Sequence, residues 1–115
     1  MTNDIKEIVK SYTRKEFDIS GGSGTSVDEA VKIHSIHQFD YLDIETVVLR
    51  CILLGQWVMK FSVVKQATLR VDGKIIDEII VEFKKDAEKV NLTYFFDVTD
   101  CFDSPEAPIK ITFNP

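Results

Sequence analysis

The sequence lacks the features that mark membrane-spanning and secreted proteins. It contains no run of roughly 18–20 apolar residues, the length that a bilayer requires, and the charges spread through positions 1–15 leave no apolar signal-peptide core. Its two cysteines, Cys51 and Cys101, match no zinc or redox spacing. We therefore expect a cytoplasmic protein with two free, largely buried thiols, no membrane contact and no cofactor.

Clustered positive charge is also missing. The 115 residues include 14 Lys and Arg and 19 Asp and Glu, for a net charge of −5, whereas a nucleic-acid-binding surface needs clustered cations. Apolar residues make up 44% of the chain and charged residues 29%, as in ordinary globular domains. We expect one acidic domain over residues 1–115 that does not bind nucleic acid. Its first 16 residues either dock on the domain or lie loosely at its surface.

The clearest pattern lies between Trp57 and Asp97. Asp72-Gly73 separates two runs of alternating apolar and polar residues, and it predicts a tight hairpin because such turns need positive φ. A second, charged turn follows at residues 84–89. The pattern predicts three antiparallel strands, at residues 57–71, 75–83 and 90–98.

Each of these strands has one mostly apolar row. Odd-numbered residues form it before the hairpin and even-numbered residues form it in the last strand, so both rows are expected to face a helix. Asp77 interrupts the row of the middle strand and needs a partner or a place at the sheet edge. Because the first strand is unusually long, we expect a bulge near Lys65-Gln66.

Helical periodicity appears twice. Residues 39–54 repeat apolar side chains at helical spacing, with Gly55 as the expected C′ residue, and residues 3–14 form a shorter amphipathic pattern with Asn3 as the expected cap. The other predicted elements are a capping box at Ser26 and Glu29, a strand at residues 30–35 and a C-terminal edge strand at residues 109–113.

Together these elements predict an α+β fold. Its expected form is an antiparallel meander sheet of four to five strands, with one long buried helix packed on one face and a short N-terminal helix.

Several segments resemble a group of small bacterial proteins that share a GGxGxS…W…DGK…YFDIS-like pattern. The matching segments are Gly21 to Ile33, a helix that ends before Trp57, a strand to Gln66, Asp72 to Lys74 and Tyr94 to Thr99, within about residues 18–102. The resemblance implies that the glycine-rich segment is native to the fold. It implies no activity, cofactor or catalytic residue.

Two histidines and an acid form an H-x-x-H-x-x-D series, namely His34, His37 and Asp40. Imidazole and carboxylate groups can hold a divalent metal when they converge. These three fall on a predicted strand, a loop and a helix start, so surface and capping roles are the simpler interpretation. No nucleophile elbow such as G-x-S-x-G is present.

Apolar side chains also occur on the wetter face of the predicted meander. Ile76, Ile80 and Phe95 are expected to be neighbours there. Either a second layer such as the N-terminal helix covers them, or they form an interface with a protein partner or a second copy of the chain.

Two functions remain open at this point. The first is a non-enzymatic protein–protein interaction, accessory or immunity-type module that binds through the apolar patch just described. The second is a small hydrolase or a ligand- or metal-binding protein that uses His34, His37 and the carboxylates near Asp97 and Asp100.

Overall fold

The computed structural model describes residues 4–34 and 41–101. Within them the chain forms two helices, five strands and a short 3-10 turn. In chain order these are α1 (Ile5–Thr13), β1 (Ile19–Gly21), β2 (Val31–Ile33), α2 (Tyr41–Leu54), β3 (Ser62–Val71), β4 (Lys74–Lys85), β5 (Glu88–Asp97) and the 3-10 turn (Thr99–Cys101). Neither of these two helices is long and apolar enough to cross a bilayer.

The five strands form one mixed sheet in the order β1-β2-β5-β4-β3. The three long strands are an antiparallel meander and β1 pairs antiparallel with β2, but β2 runs parallel to β5, with Val31 opposite Phe96. The prediction of an α+β fold is confirmed, and that of a purely antiparallel sheet is wrong. The chain leaves β2 through α2, and the meander then returns β5 in the same direction beside β2. The strand predicted at residues 109–113 lies outside the described residues.

The hairpin predicted at Asp72-Gly73 is confirmed. Both residues have positive φ, 51° and 78°, as a two-residue type I′ turn requires, and Val71 pairs with Lys74 directly across it. The charged turn between β4 and β5 uses the same conformation at Asp86 and at its neighbour in the chain. The register of the meander is therefore fixed at both ends of β4.

A bulge interrupts β3 close to its expected place. The register shifts between Val63 and Lys65, and beyond that point Gln66 lies opposite Ile79 and Thr68 opposite Asp77. Directly paired residues share a face of the sheet, so the even-numbered residues of β3 turn toward the helices after the bulge. The prediction that the odd-numbered row there faces a helix is wrong, because one extra residue exchanges the two faces.

The hydrophobic core lies between one face of the sheet and the two helices. In β5 the even-numbered Tyr94 and Phe96 point into it, as predicted, and Phe96 is fully buried. α1 contributes Ile5 and Val9 to the same core, so the N-terminal helix is docked against α2 and β1. Asp4, and not Asn3, caps α1, since its side chain accepts a hydrogen bond from the Lys6 amide at 2.8 Å.

The glycine-rich segment makes a tight connection between β1 and β2. Gly21 has φ of 103°, and a Cβ there would lie 2.3 Å from the carbonyl oxygen of Ala30. The predicted capping contact is present, with the Glu29 amide donating to Ser26 Oγ at 3.1 Å. The amide of Phe95 donates to the carbonyl of Gly24 at 2.7 Å, which ties the segment to β5. Backbone packing therefore accounts for these glycines.

Candidate functional site

The structure places one of the two histidines beside a hydroxyl and a carboxylate. His34 Nε2 lies 2.8 Å from Ser20 Oγ, and His34 Nδ1 lies 3.4 Å from Asp100 Oδ2. His37 and Asp40 lie outside the described residues, so the predicted metal series is not tested. Among residues 4–34 and 41–101, no group of three or more His, Cys, Asp or Glu side chains is arranged to hold a metal ion.

The apolar residues predicted as an interface do share one face of the sheet. Glu78 pairs with Phe95, and Ile76 and Ile80 lie on either side of Glu78 along the same face. Ile76, however, is completely buried, and the other two are half-buried. The expectation of an exposed patch is therefore wrong for Ile76, which supplies packing and no binding surface.

A polar cluster lies between α2 and the sheet, on the face that the β3 bulge turns inward. Gln66 Nε2 donates to Glu45 Oε1 at 3.4 Å, and Thr68 Oγ1 donates to Asp77 Oδ1 at 2.7 Å. Both carboxylates are almost completely buried. The partner that Asp77 was expected to need is thus Thr68, and the cluster fixes the position of α2 on the sheet.

Both cysteine thiols are free, as predicted. Burial raises the pKa of Cys101 to about 12, and the neighbouring carboxylates, Glu45 and Asp100 first among them, act in the same direction. Burial also raises the pKa of Cys51. A nucleophilic cysteine needs a lowered pKa, so neither thiol is suited to catalysis.

Alkylation of Cys101 by iodoacetamide is expected to be about 30-fold slower in the native protein than in the urea-unfolded chain at pH 8. A pKa near 12 leaves a very small thiolate fraction, and the greater nucleophilicity of a high-pKa thiolate recovers only part of that loss. The native rate should keep rising about tenfold per pH unit above pH 9, whereas the rate for the unfolded chain levels off. Mass spectrometry of the Cys101 peptide over time measures the alkylation rates of the native and the unfolded protein. Equal rates at pH 8 would contradict the raised pKa of Cys101.

The most exposed large apolar side chains lie where the sequence predicted the first part of a strand. Trp57 is 87% exposed and Met59 is 77% exposed, in the segment between α2 and β3. Val63 and Val64, at the start of β3, are about half exposed. The odd-numbered spacing predicts a buried row that includes Trp57 and Met59, and this is wrong for these two residues because the strand begins only at Ser62.

Trp57 occupies a backbone position that normally belongs to glycine. Its amide donates to Leu54 O at 3.0 Å and the amide of Val58 donates to Leu53 O at 2.8 Å, which is the pair of hydrogen bonds that closes a helix in a Schellman motif. Trp57 is the C′ residue of that motif, with φ of 65°. Gly55, two residues earlier, was the expected C′ residue. The chain therefore holds its one tryptophan in a strained conformation with the indole in water.

An open groove of about 690 Å³ lies beside this tryptophan, between α2 and the start of β3. Apolar side chains such as Leu54, Met59 and Phe61 line it, together with the cations Arg50 and Lys60. No carboxylate lines the groove. Within the described ranges, neither cation has a carboxylate within salt-bridge distance. The groove is thus apolar and locally positive in a chain of net charge −5.

β3 itself ends the sheet. Every second residue of an edge strand directs its N–H and C=O away from the neighbouring strand, and among residues 4–34 and 41–101 no strand pairs with that side of β3. Residues Ser62–Lys65 are exposed. The groove reaches the free strand edge at Ser62 and Val63, and Trp57 adjoins the groove-lining Val58 in the chain. We call the exposed indole, the groove and the free strand edge together the β3 edge.

Comparison of the chain with protein-family models, with curated proteins and with solved structures finds no match.

Proposed function

We propose that the protein is a binding module that takes an extended segment of a partner protein along the β3 edge. The observation that carries the proposal is Trp57, which is 87% exposed at a C′ position where glycine would be less strained. A residue that costs stability and contacts water is explained by a contact made in a complex. An accessory or immunity-type role, in which the module masks its partner, is consistent with this mode of binding.

Burial of the indole alone supplies a large driving force. Tryptophan buries up to about 200 Å² on association, which at about 25 cal/mol per Å² corresponds to about 5 kcal/mol before the costs of association are subtracted. Met59 adds a flexible apolar side chain beside it, of the kind found at adaptable binding surfaces. These two residues are the expected anchors of the interface.

The strand edge supplies directional hydrogen bonds to the same partner. An extended peptide that adds to a sheet edge makes main-chain hydrogen bonds along its length, while alternate side chains fill pockets. β3 offers ten residues, and the groove beside its first residues accepts side chains of the added strand. The expected ligand is therefore a β-strand and not a helix.

The charge of the groove selects the composition of that strand. Arg50 and Lys60 line the groove without a lining carboxylate, so an acidic side chain on the partner gains two cations that no side chain of the described residues neutralises. A second copy of the chain is a poorer ligand for this edge, because pairing β3 with itself adds no acid to either groove. We expect a monomer that binds segments alternating apolar and acidic residues.

Replacing Trp57 with glycine is expected to separate binding from stability. Dodecapeptides selected on the immobilised protein from a random phage library should alternate apolar and acidic residues. Their affinity, measured by fluorescence polarisation, should fall about 30-fold or more in Trp57→Gly, because truncating an anchoring aromatic costs about 2 kcal/mol or more. The free energy of unfolding in urea should stay equal or rise by up to about 1 kcal/mol, because glycine accepts the positive φ.

Tyr12→Ala is the matched control, since Tyr12 is a half-exposed aromatic on α1 that does not line the groove. It should leave peptide affinity unchanged. Arg50→Glu with Lys60→Glu should weaken binding and reverse its salt dependence, because the new carboxylates repel an acidic peptide and salt screens that repulsion. Selected peptides that bind Trp57→Gly as well as the wild type, or a stable dimer in light scattering that Trp57→Gly dissociates, would overturn the proposal of a strand-binding monomer.

A further inference from the structure

Three separate segments bring a serine, a histidine and an aspartate into line at the opposite edge of the sheet from β3. Ser20 is in β1, His34 follows β2, and Asp100 is in the 3-10 turn. Ser20 Oγ lies 2.8 Å from His34 Nε2, and Asp100 Oδ2 lies 3.4 Å from His34 Nδ1. The two contacts therefore use the two different nitrogens of one imidazole, in the order nucleophile, base, acid.

The pairing of β1 with β2 explains why these groups meet. Ser20 lies opposite Lys32 in the antiparallel ladder, and the amide of His34 donates to the carbonyl of Asp18 at 2.9 Å. Side chains two residues apart on a strand share a face, so Lys32 and His34 lie on the face that Ser20 occupies. The aliphatic neighbours of Ser20 and His34 in the chain, Ile19 and Ile33, point into the core and hold both strands in place.

The chemistry of the three groups determines which nitrogen carries the proton. An ionised carboxylate only accepts hydrogen bonds, so Nδ1 of a neutral His34 must donate to Asp100. Nε2 then has a free lone pair and accepts from the Ser20 hydroxyl. This is the tautomer that a general base needs to remove the proton from a serine. Lys32 Nζ lies 3.8 Å from the same Asp100 oxygen.

We propose that Ser20, His34 and Asp100 form a nucleophilic site that hydrolyses small activated carboxylic esters. Ser20 Oγ bonds to the ester carbonyl carbon while its proton passes to His34 Nε2. The carbon–oxygen bond to the leaving alcohol then breaks, and the alcohol takes that proton, leaving Ser20 acylated. Water, deprotonated by His34, adds to the acyl carbon; the bond to Ser20 breaks and the proton returns to Oγ, releasing the carboxylic acid.

The position of the site sets the substrate class. Ser20 is exposed at an edge strand, and the next two residues, Gly21 and Gly22, carry no side chain that would block approach. Ser20, His34 and Asp100 do not line the groove at the β3 edge. An exposed nucleophile favours short acyl groups with good leaving groups over long or branched ones.

A fluorophosphonate probe tests the nucleophile directly, because it labels an activated serine covalently. Labelling of the full chain is expected at Ser20 by peptide mapping and should be lost in Ser20→Ala. In Asp100→Asn the labelling rate should fall at least about tenfold, because an amide can select the wrong imidazole tautomer. With p-nitrophenyl acetate, the burst of p-nitrophenol should likewise be slower in Asp100→Asn than in the wild type and absent in Ser20→Ala.

Ser23→Ala is the matched control, since Ser23 is an exposed serine in the adjoining loop whose hydroxyl contacts Thr25 at 2.7 Å. It should be labelled at Ser20 like the wild type. All three substituted positions are exposed, and urea unfolding should confirm that each variant folds. Labelling at Ser20 no faster than at Ser23, or a rate that Asp100→Asn leaves unchanged, would overturn the proposal. Neither result bears on peptide binding, which takes place at the other edge of the sheet.

Discussion

Gly21→Ala is expected to destabilise the protein by about 3 kcal/mol or more, the largest effect expected of an added methyl group among the chain's five glycines. The new Cβ would lie 2.3 Å from the carbonyl oxygen of Ala30, where real Cβ atoms keep at least 3.0 Å from their neighbours. The residue would also keep φ of 103°. Relief requires β1 to move away from β2, which breaks the strand pair that carries Ser20. Urea unfolding followed by circular dichroism measures the loss.

Substitutions at two other glycines distinguish the steric clash from the backbone strain. At Gly22 a Cβ would meet only the flexible side chain of Glu29, so Gly22→Ala should cost less than about 1 kcal/mol. At Gly73 a Cβ would meet nothing within 4 Å but φ is 78°, so Gly73→Ala should report the cost of backbone strain alone, about 1 kcal/mol. If Gly21→Ala costs no more than Gly73→Ala, the close contact with Ala30 is not a constraint on the fold.

Thr68→Val is expected to destabilise the protein by about 2–4 kcal/mol although it preserves the shape of the side chain. The Thr68 hydroxyl donates to Asp77 Oδ1 at 2.7 Å, and Asp77 is completely buried. The other oxygen, Oδ2, has no hydrogen-bond partner within the described ranges. Removing the hydroxyl therefore leaves a buried carboxyl group without that donor. The free energy of unfolding in urea, compared with the wild type, tests the value.

A double variant tests whether the loss of stability comes from the buried Asp77 carboxyl group that no longer has its donor. Thr68→Val combined with Asp77→Leu should be more stable than Thr68→Val alone, because apolar groups then replace both partners. Thr93→Val is the control, since Thr93 is a half-buried threonine on β5, which β4 separates from Thr68. It should change stability by no more than about 0.5 kcal/mol. A double variant less stable than Thr68→Val would show that Asp77 stabilises the fold through other contacts.

The alternation of residues predicted the hairpin, the meander and the inward row of β5, because these depend on contacts close in the chain. It failed in β3 because a single bulge between Val63 and Lys65 exchanges the faces of all later residues. A bulge is predicted near this point, but the predicted row still places Ala67 and Leu69 on the wrong face. The exchange of faces is what brings Gln66 and Thr68 into contact with Glu45 and Asp77. The signal for this in the sequence is the acidic residue among the apolar positions of both α2 and β4.

The two sites proposed above could not be predicted from the sequence for a different reason. Edge strands are defined by the order of the whole sheet, and the parallel pairing of β2 with β5 places β3 at one edge and β1 at the other. Local sequence contains no such information. His34 and Asp100 were recognised as candidate groups, but Ser20 lies 14 residues before His34 and reaches it only through strand pairing. The exposure of Trp57 follows from a Schellman motif that closes two residues later than Gly55 suggests.

The placement of Trp57 has a spectroscopic consequence. Because its indole is 87% exposed, the fluorescence of the native state already resembles that of the unfolded chain, and emission changes little when the core melts. The same exposure makes the indole sensitive to any molecule that covers it, since removal of water shifts its emission to the blue. The fluorescence of Trp57 should therefore report binding at the β3 edge and change little on unfolding. Unfolding is followed separately by circular dichroism, so binding and stability are measured by different optical signals.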